Sequence, residues 1–176
     1  MKKPEILKFS ITTVVNFALA IVSFDPARDI GEKWKFEDGI NGPAESDGIT
    51  AFKEVVAQAA LLPKEEGYKL LFATGFTDGQ TVITGDDRIK ALAGKNLADP
   101  DLGWSLFNEE GQKTLRHLND RYGVVWMEFL RRTLLRPDGS RRGFYLCRVG
   151  VGSWRWYYFW LVNDRNASGP ALVLGQ

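Results

Sequence analysis

Apolar and polar positions are most informative in Gly143–Val162, GFYLCRVGVGSWRWYYFWLV, which predicts two short strands joined at Gly150-Val151-Gly152-Ser153. Glycines there supply the positive φ that a tight hairpin needs. Because side chains alternate along a strand, Trp154, Trp156, Tyr158 and Trp160 fall on one face of the second strand. Arg155, Tyr157, Phe159 and Leu161 fall on the other. Both faces are adhesive. The pattern fits a central strand covered on both sides, and it fits equally a strand whose wet face holds a ligand.

The rest of the chain is read against this hairpin. Residues 6–24 are rich in β-branched residues and closed by Asp25-Pro26, which predicts a strand or strand pair. Glycines and charges over residues 25–48 predict a long loop with a short strand at Trp34–Phe36. From Ile49 to Leu62, Phe52, Val55, Val56, Ala59 and Leu62 recur at helical spacing, with Pro63 as the stop. Tyr68–Phe76 and Gln80–Thr84 predict a hairpin across Thr77-Asp78-Gly79. Thr84-Gly85-Asp86-Asp87 is a capping-box start for a helix with a stripe of Ile89, Leu92, Ala93 and Leu97, broken at Asp99-Pro100. Asn108 is expected to open a further helix that buries Leu115, Leu118 and Tyr122 and ends at Gly123 in a left-handed cap. Val124–Leu135 fits either element. Its broad apolar face and the Glu128/Arg132 spacing favour a helix. Pro137-Asp138-Gly139-Ser140 is a turn, and Ala171–Leu174 a terminal strand returning beside the first one. Early strands, central helices and a late sheet predict an α+β fold. It is read as a single domain over residues 1–176, with a mainly antiparallel sheet, about three helices and the aromatic hairpin near the C-terminus.

Composition adds an asymmetry. The 176 residues suffice for one full-sized core, and the net charge is +1. Residues 1–108 carry 12 Lys+Arg against 16 Asp+Glu, whereas residues 109–176 carry 11 against 6. After Lys113 every cation is arginine, which stacks on rings and grips carboxylate or phosphate with a planar fork. A structural reading is also available, in which these arginines pair with the acidic half of the same chain. A lone cysteine, Cys147, excludes an intramolecular disulfide and a cysteine-rich metal site, and predicts a buried inert thiol and a cytoplasmic protein. Phe9–Phe24 follows Lys2, Lys3 and Lys8 as a targeting segment would, but Ser10, Thr12, Thr13, Asn16 and Ser23 make it too polar to span a membrane.

Candidate chemistry is sparse. The single histidine, His117, is predicted to lie off the apolar stripe of its helix, facing solvent, which removes the usual centre of a triad. Paired acids at Glu65/Glu66, Asp86/Asp87, Glu109/Glu110 and around Pro100 have structural explanations at helix ends and in loops. They leave open a carboxylate- and Mg²⁺-dependent phosphoester hydrolase as an alternative. No resident cofactor or metal is expected. Arg141-Arg142-Gly143-Phe144-Tyr145 resembles the start of the RNP1 strand of RNA-recognition modules, with Tyr145 standing where that strand has Gly or Ala. Arginine with exposed aromatics is also the general recipe for stacking single-stranded bases. The tail from Gly152 through Trp154, Trp156, Trp160-Leu161 and Pro170-Ala171-Leu172 is similar to the end of C-type-lectin-like display proteins, which implies a ligand-display role. The reading favoured by the residues is a non-enzymatic recognition module. Its contacts would be Arg142, Arg148, Arg155, Trp156 and Tyr157, and its partner an anionic or aromatic ligand, a nucleic acid or another protein.

Overall fold

A computed structural model describes residues 7–13, 21–42, 68–77 and 79–174. The predicted helix over 49–62, and residues 14–20 of the predicted N-terminal strand, lie outside that set. The fold is α+β, with a mainly antiparallel sheet in the order β1-β3-β9-β5-β6-β7. Its strands are β1 (Leu7–Thr13), β3 (Tyr68–Ala73), β9 (Ala171–Leu174), β5 (Trp126–Leu135), β6 (Arg141–Val149) and β7 (Ser153–Trp160). A short β2 (Lys35–Phe36) pairs with the end of β5. β4 (Val82–Thr84) and β8 (Asp164–Asn166) form a separate two-stranded sheet. The helices are α1 (Pro26–Asp29), α2 (Gly85–Ala91), α3 (Pro100–Asn108) and α4 (Lys113–Tyr122), the last preceded by a 3₁₀ turn at Glu110–Gln112.

Local signals explain most boundaries. Thr84 caps α2 by accepting the Asp87 N–H at 3.1 Å. Gly123 ends α4 at φ 68°, a left-handed conformation natural to glycine. The aromatic hairpin forms as predicted, with Gly150 and Gly152 at positive φ between β6 and β7.

Other elements depart from expectation. Val124–Leu135 is not a helix: residues 126–135 form β5, flanked by β6 on one side and by β9 and β2 on the other. A strand covered on both faces loses its period-two signature. Glu128, expected four residues before its partner on one helix, is instead fully buried. The predicted hairpin over 68–84 does not form, because β3 pairs with β1 and β9 while β4 pairs with β8. α2 ends at Ala91, well before Asp99-Pro100, which starts α3 and does not break the preceding helix as expected. Asp99 is the cap, accepting the Asp101 N–H at 2.9 Å, and proline occupies the first turn, where its missing N–H costs nothing. Residues 21–24 carry no strand, and the terminal strand β9 lies between β3 and β5 and not beside β1.

The core has two parts, one on each side of the sheet. On one side α3 and α4 bury Leu102, Leu106, Leu115 and Leu118 against Met127, Phe129, Phe144, Leu146 and Trp154. On the other, Leu92 and Leu97 meet Leu130, Phe159, Leu161 and Val173. Gly143 is closely approached on this second side, since a Cβ there would sit 2.5 Å from the Phe159 ring and 2.9 Å from Leu130.

The second side also holds a buried ionic cluster. Arg88 of α2 donates from Nη1 to Glu128 Oε2 at 2.6 Å and from Nε to the Thr74 carbonyl at 2.9 Å. Arg165 of β8 donates from Nε to Glu128 Oε1 at 2.8 Å. Removing one member of such a cluster leaves an uncompensated buried charge, which costs about 3–5 kcal/mol. Glu128→Ala is therefore expected to lower the free energy of urea unfolding by about that amount. Combining it with Arg88→Met recovers part of the loss.

Candidate functional site

β7 ends the sheet order, so one side of its backbone has no neighbouring strand among the described residues. Along this edge runs a groove of about 640 Å³ lined by Phe107, Gln112, Ser153, Trp154, Arg155, Trp156, Tyr157 and Tyr158. The β6–β7 register places Trp154, Trp156, Tyr158 and Trp160 opposite Arg148, Leu146, Phe144 and Arg142, hence on one face. Burial falls along that face. Trp154 is 3% exposed, whereas Tyr158 and Trp160 are exposed by 41% and 44%. The gradient arises because α3 covers only the start of β7. Trp104 of α3 meets Trp156 edge-on at 5.6 Å, and Phe144 stacks parallel to the Trp156 ring at 5.8 Å. Trp34 rests on Tyr158 at 4.8 Å. On the other face Phe159 is buried, while Arg155 and Tyr157 are exposed.

The five residues singled out from sequence separate into two groups. Arg155, Trp156 and Tyr157 line the groove. Arg148 is half-buried beside them on β6, opposite Trp154. Arg142 is 1% exposed, with its guanidinium carbon 3.1 Å from the centre of the Trp160 ring and its Nε without a hydrogen-bond acceptor. Burial lowers its pKa from the ordinary arginine value. It holds Trp160 in place from beneath and is not part of the groove wall.

Gln112 was not picked out from sequence. It adopts a left-handed conformation at φ 47°, uncommon for a non-glycine residue, as the N-cap of α4. Its side chain bridges two elements: Nε2 donates to the Phe107 carbonyl at 3.1 Å and Oε1 accepts the Trp154 N–H at 3.3 Å. No short-range motif marks such a residue, because its role comes from where the 3₁₀ turn meets the strand edge.

Among the described residues, most of the acids paired in the sequence hold partners of their own. The groove lining contains no Asp, Glu, His or Cys among the described residues. Asp86 and Glu37 both bind Arg141, Asp99 and Asp101 bind Arg132, and Glu109 accepts from Thr114. His117, expected to face solvent, is half-buried with its ring 6.0 Å from Tyr122. Among the described residues no group of three His, Cys, Asp or Glu is placed to hold a metal ion, and no helix is long and apolar enough to cross a membrane. A smaller cavity of about 180 Å³ lies on the opposite face between Trp126, Asp164, Arg165, Asn166, Ser168 and Gly169. No known family matches the chain, and no curated protein or solved structure shows similarity to it.

Cys147 is buried on β6, and burial pushes its thiol up from the ordinary value. Reaction with a thiol reagent at pH 8 is expected to be slower in the native protein than in guanidinium by about 100-fold. A comparable rate in both conditions would show that the thiol is reachable and ionisable in the fold.

Proposed function

We propose that this protein is a non-enzymatic recognition module whose binding surface is the groove along β7. The supporting observation is the outer half of that strand, where Tyr157, Tyr158 and Trp160 are each more than 40% exposed while the other large aromatics among the described residues are mostly packed. A groove of about 640 Å³ falls within the usual 300–1,000 Å³ of ligand sites. Flat rings give large contact area at low conformational cost, and Arg155 supplies charge at the rim. The absence of acidic, histidine and cysteine side chains from the lining favours holding a partner over transforming it. The ligand class that suits this wall is anionic and apolar at once. A single buried thiol suits action in a reducing compartment such as the cytoplasm.

An anionic aromatic dye, anilinonaphthalene sulfonate, tests the surface directly. Its emission on excitation of tryptophan is expected to rise saturably, and Arg155→Ala or Tyr157→Ala to weaken the binding by about tenfold. Val82→Ala, an exposed apolar position on β4, is expected to leave it unchanged. Non-saturable emission, or equal binding by all the variants, would remove the groove as the binding surface.

A further inference from the structure

Backbone geometry on the free side of β7 narrows the partner further, and this step rests on the groove reading above. In an antiparallel pair, successive residues alternate between facing the partner strand and facing away from it. Arg148 gives its N–H to the Val125 carbonyl on the β5 side, so Trp154, opposite Arg148, turns its peptide groups away from β6. The Trp154 N–H accordingly reaches Gln112. Trp156, Tyr158 and Trp160 share this outward phase, whereas Leu161, in the other phase, donates to Arg141. At the far end the Trp160 carbonyl accepts the Asn163 N–H at 3.0 Å. Both ends of the edge are thus closed by the protein itself. Between them the Trp154 carbonyl, both groups of Trp156 and Tyr158, and the Trp160 N–H form a ladder with no partner among the described residues.

Side chains on the two faces of this ladder ask for different things. Trp156 and Tyr158 present apolar area on one face, and Arg155 and Tyr157 present charge and a ring on the other. From Arg141 to Asn163 the chain has four arginines and no acid. Arg141 is neutralised by Glu37 and Asp86, and Arg142 is sealed under Trp160. Arg148 and Arg155 have no carboxylate partner among the described residues. A second copy of the chain would bring the same arginines to the same edge, so self-pairing sets like charges together.

We infer that β7 accepts an extended acidic peptide as an added antiparallel strand, with apolar residues over Trp156 and Tyr158 and carboxylates toward Arg155. Antiparallel addition is favoured because its hydrogen bonds are better aligned than parallel ones. It also fixes the register, since residues in hydrogen-bonded pairs lie on one face. The peptide's apolar residues are therefore the ones whose amides bond to β7, and its acidic residues turn their amides outward.

The test is a capped heptapeptide alternating glutamate and valine, followed by tryptophan fluorescence on the full chain. Methylating the valine amides is expected to weaken binding by at least about tenfold, while methylating the glutamate amides leaves it unchanged. Replacing glutamate by lysine is expected to cost about tenfold, and Arg155→Glu to reverse that preference without changing the melting temperature. Binding that ignores valine methylation would overturn strand addition while leaving the groove as a ligand site. So would failure of the peptide where the dye still binds. Failure of both would remove the groove itself. Concentration-dependent dimerisation lost in Arg155→Glu, or tighter binding of oligothymidylate than of the peptide, would assign the edge to a different occupant.

Discussion

Glu128 is the residue on which the two halves of the molecule converge. Its carboxylate is fully buried in β5, near the middle of the sheet, and takes guanidinium groups from α2 and from β8. Arg88 also donates to the Gly169 carbonyl just before β9 and to Thr74 just after β3. One ion pair thus fixes how the helix, the small sheet and two strand ends lie over the large sheet. Burying these charges is costly, and the arrangement holds because the surrounding carbonyls meet what the single carboxylate leaves over. Arg165 completes it sideways, lying 4.2 Å above the Phe159 ring and near Trp126 and Tyr145, which stack at 4.1 Å.

That constraint also sets what the groove side can be. With Phe159 and Leu161 drawn inward beneath the cluster and α2, β7 is anchored through its odd positions at its far end. Through Trp154 and Trp156 it is anchored at its near end to α3 and Phe24. The stretch between cannot sink into either core. Tyr157, Tyr158 and Trp160 stay at the surface because both layers beneath them are already filled, Trp160 resting on a buried arginine in place of a hydrocarbon floor.

Local physics was legible in the sequence where one residue decides the outcome. The Thr84 cap, the Gly123 terminus, the Gly139 turn and the Gly150/Gly152 hairpin all rest on steric or hydrogen-bonding facts confined to a few residues. β5 was not legible. Both its faces are covered and it carries Glu128 and Arg131 inward, so its apolar spacing imitates a helix. Its register against β6 also shifts between Phe129 and Leu134, which destroys any simple alternation. The hairpin expected over 68–84 failed for a related reason. A glycine turn permits two strands to pair, but β3 takes its partners from further off, β1 before it and β9 about 100 residues further along. At the groove, Arg155, Trp156 and Tyr157 could be found by alternation. Gln112 could not, since it acts across a turn 42 residues away in sequence.

An open, aromatic edge is a hazard as well as an opportunity, because unpaired strand edges template aggregation. The protections seen on other edge strands are present here in a particular distribution. Arg155 places on the strand a charge with no carboxylate partner among the described residues, the Gln112 side chain occupies the first outward N–H, and the turn at Asn163 occupies the last outward carbonyl. These devices shorten the ladder and make it repel its own kind, yet none covers the central Trp156–Tyr158 segment. An edge that had only to be kept harmless could be shielded by one more charge at Tyr157, whose ring is exposed and lies 5.8 Å from that of Tyr145. Rings kept at Tyr157 and Tyr158, between ends that are closed, would set a docking length for the extended partner proposed above.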